Sequence, residues 1–263
     1  SGKEEARLIH LAAAYAIQLG KRPSIVVDIG GGSTEITLGT SDRLIAGKSF
    51  KLGVIRLTET FGQSDPLSRR DERRMVRRIT GEIGDYLAQL SKRRIDRVIG
   101  TSGTIQSLGA MVTGHSTGED LRQVRVSAKA LRRLRKRLTS LTLQQRLKLP
   151  SLDPRRADLA PAGAVLLDTI LDGLDADEIT RCDCALREGL VLDYIARNAQ
   201  HIRTVDRYPD VRRRSVVELA ERCNYLAPHA QQVARLALTI FDATRSRHGL
   251  GSREREWLEY AAI

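Results

Sequence analysis

Residues 24–35 bring together a carboxylate, three glycines and two hydroxyls, which could together bind phosphate. A β-branched run ends at Asp28 and a second apolar alternation follows Glu35, so the segment predicts strand, tight turn and strand. The turn residues that could contact phosphate are Gly30, Gly31, Gly32, Ser33 and Thr34. Glycines at a turn permit positive φ and close approach of another group, and bare N–H groups bind anions. Asp28 could hold a divalent cation, and a plain glycine-rich hairpin is the alternative interpretation.

A second glycine- and hydroxyl-rich segment lies between a predicted strand at 97–99 and a helical pattern at 105–112. It consists of Gly100, Thr101, Ser102, Gly103 and Thr104. Backbone N–H groups at a helix N-terminus bind anions, although so short a motif also occurs in ordinary turns. Two such turns in one domain could hold a phosphate chain from two sides, with Asp28 and a metal ion between them.

Three glutamates lie where hydrolysis would need a base. Glu35 follows the first turn, and Glu4 and Glu5 open the first predicted helix. Hydrolysis of a phosphoanhydride needs a positioned water, a base and neutralisation of charge. The alternatives are capping of the first helical turn for Glu4 and Glu5, and a solvent-facing strand position for Glu35. The spacing does not show whether Glu5 reaches the turn.

The order of patterns predicts an α/β fold followed by helices. Strands near 24–29, 34–40 and 43–51 form an antiparallel meander, after which strands and helices alternate. The other predicted helices are 3–18, 68–91, 105–112, 127–138, 142–147, 154–173 and 189–199, and the other predicted strands are 97–99 and 177–186. Beyond a polar stretch the pattern is wholly helical, which places a domain boundary near residue 205 and predicts domains at 1–205 and 206–263.

The net charge of +12 is concentrated in one part of the chain. Residues 122–156 contain twelve basic residues and one acidic residue, and within them 127–138 predict an amphipathic helix capped by Ser127. The predicted outer face of this helix consists of Arg132, Arg133, Arg135, Lys136 and Arg137. This face is either a solvated surface or one that attracts a polyanion. The stretch contains no aromatic residue for base stacking, which disfavours nucleic acid as a partner.

Three cysteines, Cys182, Cys184 and Cys223, are too few for a disulfide framework. Cys182 and Cys184 fall in a predicted strand and have no second ligand pair, so we interpret all three as reduced thiols in a cytoplasmic protein. No apolar run is long enough to span a bilayer, and the first residues have no signal-peptide layout. We therefore expect no membrane partner.

Taken in order, the motifs resemble those of the exopolyphosphatase / guanosine pentaphosphate phosphohydrolase family. The matching segments are 1–8, 28–35, 53–57, 100–104, 156–158 with Gly163, and 186–190. The resemblance covers essentially the full chain, and the joint pattern is specific although no single motif is. It implies the actin-like ATPase fold, built from two ribonuclease-H-like halves with the site in the cleft. Here it implies one such half, with a mixed sheet and flanking helices, followed by the start of an all-helical HD-type domain.

The resemblance also implies roles for individual residues. Asp28 matches a metal-binding residue, which implies Mg²⁺ or another divalent cation as the cofactor. Glu5 matches the proposed general base, and Glu35 matches a second catalytic carboxylate. The residues that match phosphate-binding loops are Gly30, Gly31, Gly32, Ser33, Thr34, Gly100, Thr101, Ser102 and Gly103.

The implied activity is hydrolysis of a phosphoanhydride. Our first hypothesis is release of terminal orthophosphate from inorganic polyphosphate, and the alternative substrate is guanosine pentaphosphate, a nucleotide of the stringent response. A non-hydrolysing regulator that binds such nucleotides is a rival of another class, because a fold alone does not fix function. A basic RNA-binding scaffold is a third interpretation.

The resemblance further implies sequence on both sides of this chain. Family members carry another phosphate hairpin about a hundred residues before the equivalent of Ser1. His229 matches the first histidine of the HD-type domain, whose His-Asp pair would follow Ile263, so we expect a helix residue and no metal site there. We therefore expect a fragment shortened at both ends, with weak or absent activity of its own. The protein partner that we expect is a second copy of this chain, because a homodimer would lengthen a surface that binds a polyanion.

Overall fold

The chain divides into two compact units. The computed structural model describes residues 2–114 and 124–263. The first unit is Ser1–Tyr194 and the second is Ile195–Ile263, so the division falls ahead of the boundary predicted near residue 205. The basic stretch 122–156 is described from residue 124 onward, and Arg122 lies outside the described residues.

Within the described residues, a six-stranded mixed sheet organises the first unit. Its strands are β1 (Ser24–Ile29), β2 (Thr34–Gly39), β3 (Leu44–Phe50), β4 (Val98–Thr101), β5 (Arg125–Ser127) and β6 (Glu178–Arg181). The order across the sheet is β3-β2-β1-β4-β6-β5. The first three strands form the predicted antiparallel meander, β4 lies parallel to β1, and β6 lies parallel to β4. β5 pairs antiparallel with β6 at the edge of the sheet.

Helices flank this sheet. They are α1 (Gly2–Ile17), α2 (Val54–Phe61), α3 (Arg69–Ser91), α4 (Ser102–Thr113), α5 (Ala128–Ser140), α6 (Leu143–Arg146), α7 (Ala160–Gly173) and α8 (Leu186–Arg197), with a 3-10 turn at Pro154–Arg156. α1 packs on β2 and β3, and the largely buried α7 contacts both α3 and α5. The predicted fold class, a ribonuclease-H-like α/β fold with a mixed sheet and flanking helices, is confirmed.

Burial of the central strand explains its sequence. All six residues of β1 are buried, so the strand reads as an apolar run with few polar residues and not as an alternation. α3 begins where the Ser68 side chain accepts a hydrogen bond from the Asp71 backbone N–H, and its buried residues recur at helical spacing. One face of β1 belongs to the same apolar cluster as α3, and Val26 on its other face belongs to a second cluster with α1.

Several local predictions differ from the structure. The helix predicted at 154–173 is divided into the 3-10 turn Pro154–Arg156 and α7, and β5 has no counterpart among the predicted strands. The sequence predicts no helix at 54–61, where α2 forms. The strand predicted at 177–186 ends at Arg181, so Cys182 and Cys184 lie after β6 and not within a strand. Within the described residues no disulfide joins any of the three cysteines. The helix predicted at 127–138 is α5, and Ser127 stands at its N-cap without a side-chain hydrogen bond, because the chain enters the helix directly from β5.

The predicted outer face of α5 is only partly exposed. Arg135 turns toward the neighbouring helices, where its guanidinium donates to Asp168 at 2.8 Å and to Glu72 at 2.9 Å. Arg132 also donates to Asp168, at 3.2 Å. These ion pairs join α5 to α3 and α7, so part of the basic charge stabilises the packing of helices and does not face solvent.

The second unit is helical in its described residues, as predicted. Its helices are α9 (Ala199–Arg207), α10 (Val211–Arg222), α11 (Ala227–Ala243), α12 (Arg245–His248) and α13 (Ser252–Ala262). α11 packs on α13, and His229 is an exposed residue of α11. Across the described part of the chain, no helix is both long and apolar enough to span a membrane.

Candidate active site

The first glycine-rich segment forms a loop that is held by α2. The Gly30 backbone N–H donates to the Ser33 carbonyl at 2.9 Å and closes the turn between β1 and β2. The backbone N–H groups of Val54 and Ile55 donate to the carbonyls of Gly30 and Gly31, at 3.1 and 3.0 Å. The first turn of α2 therefore uses N–H groups that have no partner within the helix to bind the loop.

The remaining carbonyl of the loop is bound by a side chain. The Arg56 Nε donates to the Gly32 carbonyl at 2.9 Å, so three successive carbonyls point toward α2. Because a trans peptide is planar, each following N–H points the opposite way. The N–H groups of Gly31, Gly32 and Ser33 thus point away from α2, and none of them donates a hydrogen bond within the described residues. Three unengaged donors on one side of a loop form an anion-binding surface.

The glycines here provide space and not unusual backbone angles. Glycine permits positive φ at a turn, but among the described glycines positive φ occurs only at Gly114 and Gly249. The close approach is at Gly53, where an added Cβ would lie 2.2 Å from the Gly31 carbonyl oxygen and 2.5 Å from the Gly32 nitrogen. Both contacts are backbone atoms, so no side-chain rotation could relieve them.

We expect Gly53→Ala to displace the first loop. The added methyl group would separate the loop from α2, and overpacking of this kind costs about 1–3 kcal/mol. Thermal unfolding measures the loss, and equilibrium binding of pyrophosphate measures the damage to the loop. Gly32→Ala is the matched control for folding, because its Cβ would have only the Arg56 Nε nearby, at 3.8 Å. Equal stability of the two variants would contradict the packing argument.

Two threonines that the sequence places among the phosphate ligands support the loops from inside. Thr34 is fully buried, and its hydroxyl donates to the Leu52 carbonyl. Thr101 is also fully buried, and its hydroxyl donates to the Cys184 carbonyl at 2.7 Å. Both hydroxyls therefore donate within the protein, and contact of either residue with phosphate stays a prediction.

The second glycine-rich segment lies beside the first, because β4 is the parallel neighbour of β1. In the register of these strands Asp28 is opposite Thr101. Neighbouring strands lie about 4.8 Å apart, and parallel strands end at the same edge of the sheet. The two segments therefore lie at the same edge of the sheet, and their convergence on one phosphate chain stays a prediction.

The start of α4 provides a second set of backbone donors. Thr101 occupies the N-cap position without a side-chain hydrogen bond, and the Ser102 hydroxyl accepts from the Ile105 N–H at 3.4 Å, so the N–H groups of residues 102–104 have no capping side chain. Ser102 has φ of 85°, a left-handed angle that is rare outside glycine and costs on the order of 1–3 kcal/mol. Such strain is typical of ligand-binding loops. This strand-to-helix junction is consistent with the predicted anion site at Gly100 to Gly103.

Arg156 is a residue of this site that the sequence reasoning did not single out. The nearest atoms to a Cβ placed on Gly103 belong to the Arg156 guanidinium, at 2.2–2.8 Å, so the guanidinium rests on that glycine. Its ion pair with Asp153 is long, at 3.9 Å. A guanidinium beside exposed backbone donors adds positive charge where phosphate would bind. The available signal was the segment 156–158, but sequence separation could not place it beside the loop.

Three carboxylates meet next to the first loop. Asp28 and Glu35 are opposite residues of β1 and β2, and Glu5 lies in the first turn of α1, which packs on the sheet. Burial, together with the negative charges of Glu35 and Glu5, raises the pKa of Asp28 to about 7 from 3.8. Glu5, whose position the sequence left open, is thus near enough for its charge to act on Asp28.

Glu35 is the most buried member of this cluster, at 1% exposure. Burial raises its pKa, the hydroxyls of Ser49 and Ser33 oppose the rise, and the charge of Glu5 adds to it. The Ser49 hydroxyl donates to Glu35 at 2.6 Å from the neighbouring strand β3. No sequence signal marks Ser49. Glu5 is half-buried, so it is the carboxylate of the three that is most open to water.

The donor set is compatible with Mg²⁺ bound together with a phosphate. The described residues contain no group of three His, Cys, Asp or Glu side chains arranged to hold a metal ion. Mg²⁺, however, is usually bound by one or two carboxylates, with water and phosphate oxygens completing its shell. Asp28 is 8% exposed and accepts no hydrogen bond from the described residues, so its ionised form lacks compensation. A cation would supply that compensation.

A mixed sheet with two anion loops and clustered carboxylates at one edge is typical of enzymes that transfer or hydrolyse phosphoryl groups. A family model described as the Ppx/GppA phosphatase family matches residues 1–198. The chain belongs to this family.

Individual relatives are consistent with this assignment. The chain is 29% identical over 240 residues to a guanosine-5'-triphosphate,3'-diphosphate pyrophosphatase of Vibrio vulnificus. This alignment covers 91% of the present chain and 46% of the relative. It resembles an exopolyphosphatase structure from Cytophaga hutchinsonii, with 27% identity and a TM-score of 0.67 over 74% of this chain and 64% of that one. The structure of the Aquifex aeolicus Ppx/GppA phosphatase, type II variant, is 25% identical to this chain, with a TM-score of 0.65 over 72% of this chain and 62% of that one. The chain spans about half the length of the curated relatives it matches.

Proposed function

We propose that this chain carries catalytic carboxylates of an enzyme that releases the terminal phosphate of guanosine pentaphosphate. The observation that carries the proposal is the meeting of Glu5, Asp28 and Glu35 beside a loop with three unengaged N–H groups. The names of the Vibrio relatives favour this nucleotide over polyphosphate, which is the first hypothesis from the sequence.

The chemistry follows from the positions of these groups. The N–H groups of residues 31–33 bind the oxygens of one phosphate, and the start of α4 with Arg156 binds a neighbouring one. Glu5 is open to water and accepts a proton from the attacking molecule, as a general base does. Glu35 is fixed by the hydrogen bond from Ser49, and its charge contributes to the raised pKa of Asp28. Mg²⁺ held by Asp28 would neutralise phosphate charge and keep that carboxyl ionised.

Inorganic polyphosphate is the second candidate substrate. The structural similarity to the Cytophaga hutchinsonii exopolyphosphatase favours it. Both substrates end in a phosphoanhydride, so the same loops and carboxylates would serve either. The guanosine portion distinguishes them.

Orthophosphate release tests the proposal directly. We would compare guanosine pentaphosphate with long-chain polyphosphate at equal concentrations of terminal phosphate, with Mg²⁺, in the full natural chain that contains these residues. We expect faster release from the nucleotide. Release from neither by a folded protein would overturn the hydrolase assignment. Nucleotide binding without release, unchanged by Glu5→Gln, would instead support a non-hydrolysing regulator.

A further inference from the structure

Helix α1 lies on the face of the sheet that carries the carboxylate cluster. Successive residues of a strand point to opposite faces, so Glu35, Thr37 and Gly39 share one face of β2. Glu5 of α1 acts on Glu35 at one end of this row. His10 of α1 contacts Thr37 and Gly39 at the other end. The same helix therefore meets the strand both at the site and away from it.

Three residues of α1, spaced four positions apart, meet small residues of the sheet. The pairs are Gly2 with Ser49, Ala6 with Gly47 and His10 with Gly39. In the register of β2 with β3, Ser49 is opposite Glu35 and Gly47 is opposite Thr37, so the three pairs lie at the successive levels 35, 37 and 39 of β2. Four residues of helix rise about 6 Å and two residues of strand about 6.8 Å, so α1 stays in register with β2 over all three levels.

His10 adds directional bonds to this close packing. Its side chain is buried, with Nε2 3.2 Å from the Thr40 carbonyl oxygen and Nδ1 3.2 Å from the Thr37 hydroxyl. A carbonyl can only accept, so Nε2 carries the proton and donates it, and Nδ1 of the neutral ring accepts from the hydroxyl. Burial lowers the pKa of His10, which favours this neutral form.

The acceptor of the first bond is itself held in place. The Thr40 N–H donates to the Arg43 carbonyl at 3.0 Å, which closes the turn between β2 and β3. The Thr40 hydroxyl accepts from the backbone N–H groups of Asp42 and Arg43, at 3.2 and 3.4 Å. His10 thus joins α1 to a well-fixed turn at the end of the strand that carries Glu35.

We propose that His10 is a positioning residue that fixes α1 along its axis and so holds the Glu5 carboxylate beside Glu35 and Asp28. An apolar side chain would fill this buried position without the cost of desolvating an imidazole, but it would give no directional bond. Buried polar groups are known to set the register of packed elements. Five residues of helix, about 7.5 Å, separate His10 from Glu5, so His10 acts through the helix. The inference rests on the proposed function, because it needs Glu5 as the base.

Steady-state phosphate release from guanosine pentaphosphate, by the full natural chain with saturating Mg²⁺, tests this role. His10→Leu removes both hydrogen bonds and keeps a buried apolar side chain. We expect kcat to fall about 10–100-fold with KM nearly unchanged, because a base displaced by about 1 Å loses rate more than binding. His10→Gln keeps a donor for the Thr40 carbonyl and should restore much of the rate.

Two further variants separate the hydrogen bonds from packing. Ile9→Val is the matched control, because it loosens a buried contact of the same helix and leaves both bonds of His10 intact. It should keep the wild-type kcat. Thr37→Val removes only the bond to Nδ1 at nearly constant shape, so it should lower kcat less than His10→Leu does. This variant also provides the test if His10→Leu does not fold.

Combination with Glu5→Gln shows whether His10 acts through Glu5. We expect His10→Leu to lower kcat far less in the Glu5→Gln background than in wild type, since residues that act as a unit are not additive. Equal fold losses in both backgrounds, or an equal loss in Ile9→Val, would overturn the positioning role. A rate that Glu5→Gln lowers and His10→Leu leaves unchanged would overturn the positioning role alone. Absence of release by wild type would overturn the proposed function and the positioning role with it.

Discussion

Glu5→Gln is expected to lower the rate of phosphate release by about 10²–10⁴-fold, the range that a general base contributes. Glutamine keeps the size of the side chain and removes its ability to accept a proton. It also removes a negative charge that raises the pKa of both Asp28 and Glu35, so the fold should become slightly more stable at pH 8. Loss of activity with retained or increased stability separates a chemical role from a structural one.

Glu4→Gln is the matched control for this prediction. Glu4 lies in the same helical turn, and its exposed carboxylate forms an ion pair with Arg7 at 2.7 Å. It is not among the groups that raise the pKa of Asp28. Release rates of both variants, measured with saturating Mg²⁺ and nucleotide, give the comparison. A Glu5→Gln variant that retains the wild-type rate would show that another group activates the water.

At pH 8, Asp28→Asn is expected to raise the stability of the fold while it abolishes phosphate release. A carboxyl whose pKa rises on folding binds more protons in the folded state, so its stabilising contribution is complete below the unfolded pKa and is lost as pH rises through the folded one. For Asp28 that window runs from 3.8 to about 7. The accumulated penalty at pH 8 is as much as roughly 4 kcal/mol.

The sign of the Asp28→Asn effect should therefore reverse with pH. The buried amide of asparagine would also lack a partner, which costs about 1–3 kcal/mol at every pH. We expect the variant to be less stable than wild type near pH 4.5 and more stable at pH 8 without divalent cations. Mg²⁺ should raise the Tm of wild type at pH 8, because it binds the folded state, and should not raise that of the variant.

Thermal unfolding across this pH range, with and without Mg²⁺, measures both effects. Asp85→Asn is the control, because it makes the same substitution at an exposed carboxylate of α3. If the stability of wild type and of Asp28→Asn changes in parallel with pH, the pKa of Asp28 is not raised by folding. Stabilisation of the Asp28→Asn variant by Mg²⁺ would place the cation elsewhere. Phosphate release should be lost in Asp28→Asn under all these conditions.

The sequence predicts the antiparallel meander and the two glycine-rich strand exits, but not the strand order of the sheet or its edge strand β5. The β-branched run before Asp28 and the apolar strand before Gly100 both end in glycine and hydroxyl residues, so both strands and their exits are visible in the pattern. Parallel pairing of β1 with β4 then brings the exits together. These features depend on local periodicity and on a general rule for parallel strands, and both can be read from a single chain.

The missed parts of the site depend on contacts between distant backbone groups. α2 begins at Gly53 without a side-chain cap, and its first N–H groups bind carbonyls more than twenty residues earlier. Thr34 and Thr101 have the residue type of a phosphate ligand, but carbonyls brought in by the folded chain engage their hydroxyls. Ser49 is recognisable only from the pairing register of β2 with β3. No periodicity or spacing encodes such partners.

Because α2 packs against the first loop, we expect Gly53 to tolerate substitution less well than Gly31 or Gly32. The triplet at 30–32 is the visible signature, yet an alanine methyl at Gly32 has room and one at Gly31 meets only the movable end of Ile55. Gly53 is inconspicuous in the sequence and has no such freedom. Selection for folded protein alone should therefore exclude substitutions at 53 first, whereas selection for turnover should add 31 and 32, and the difference between the two screens would map the ligand-facing side of the loop.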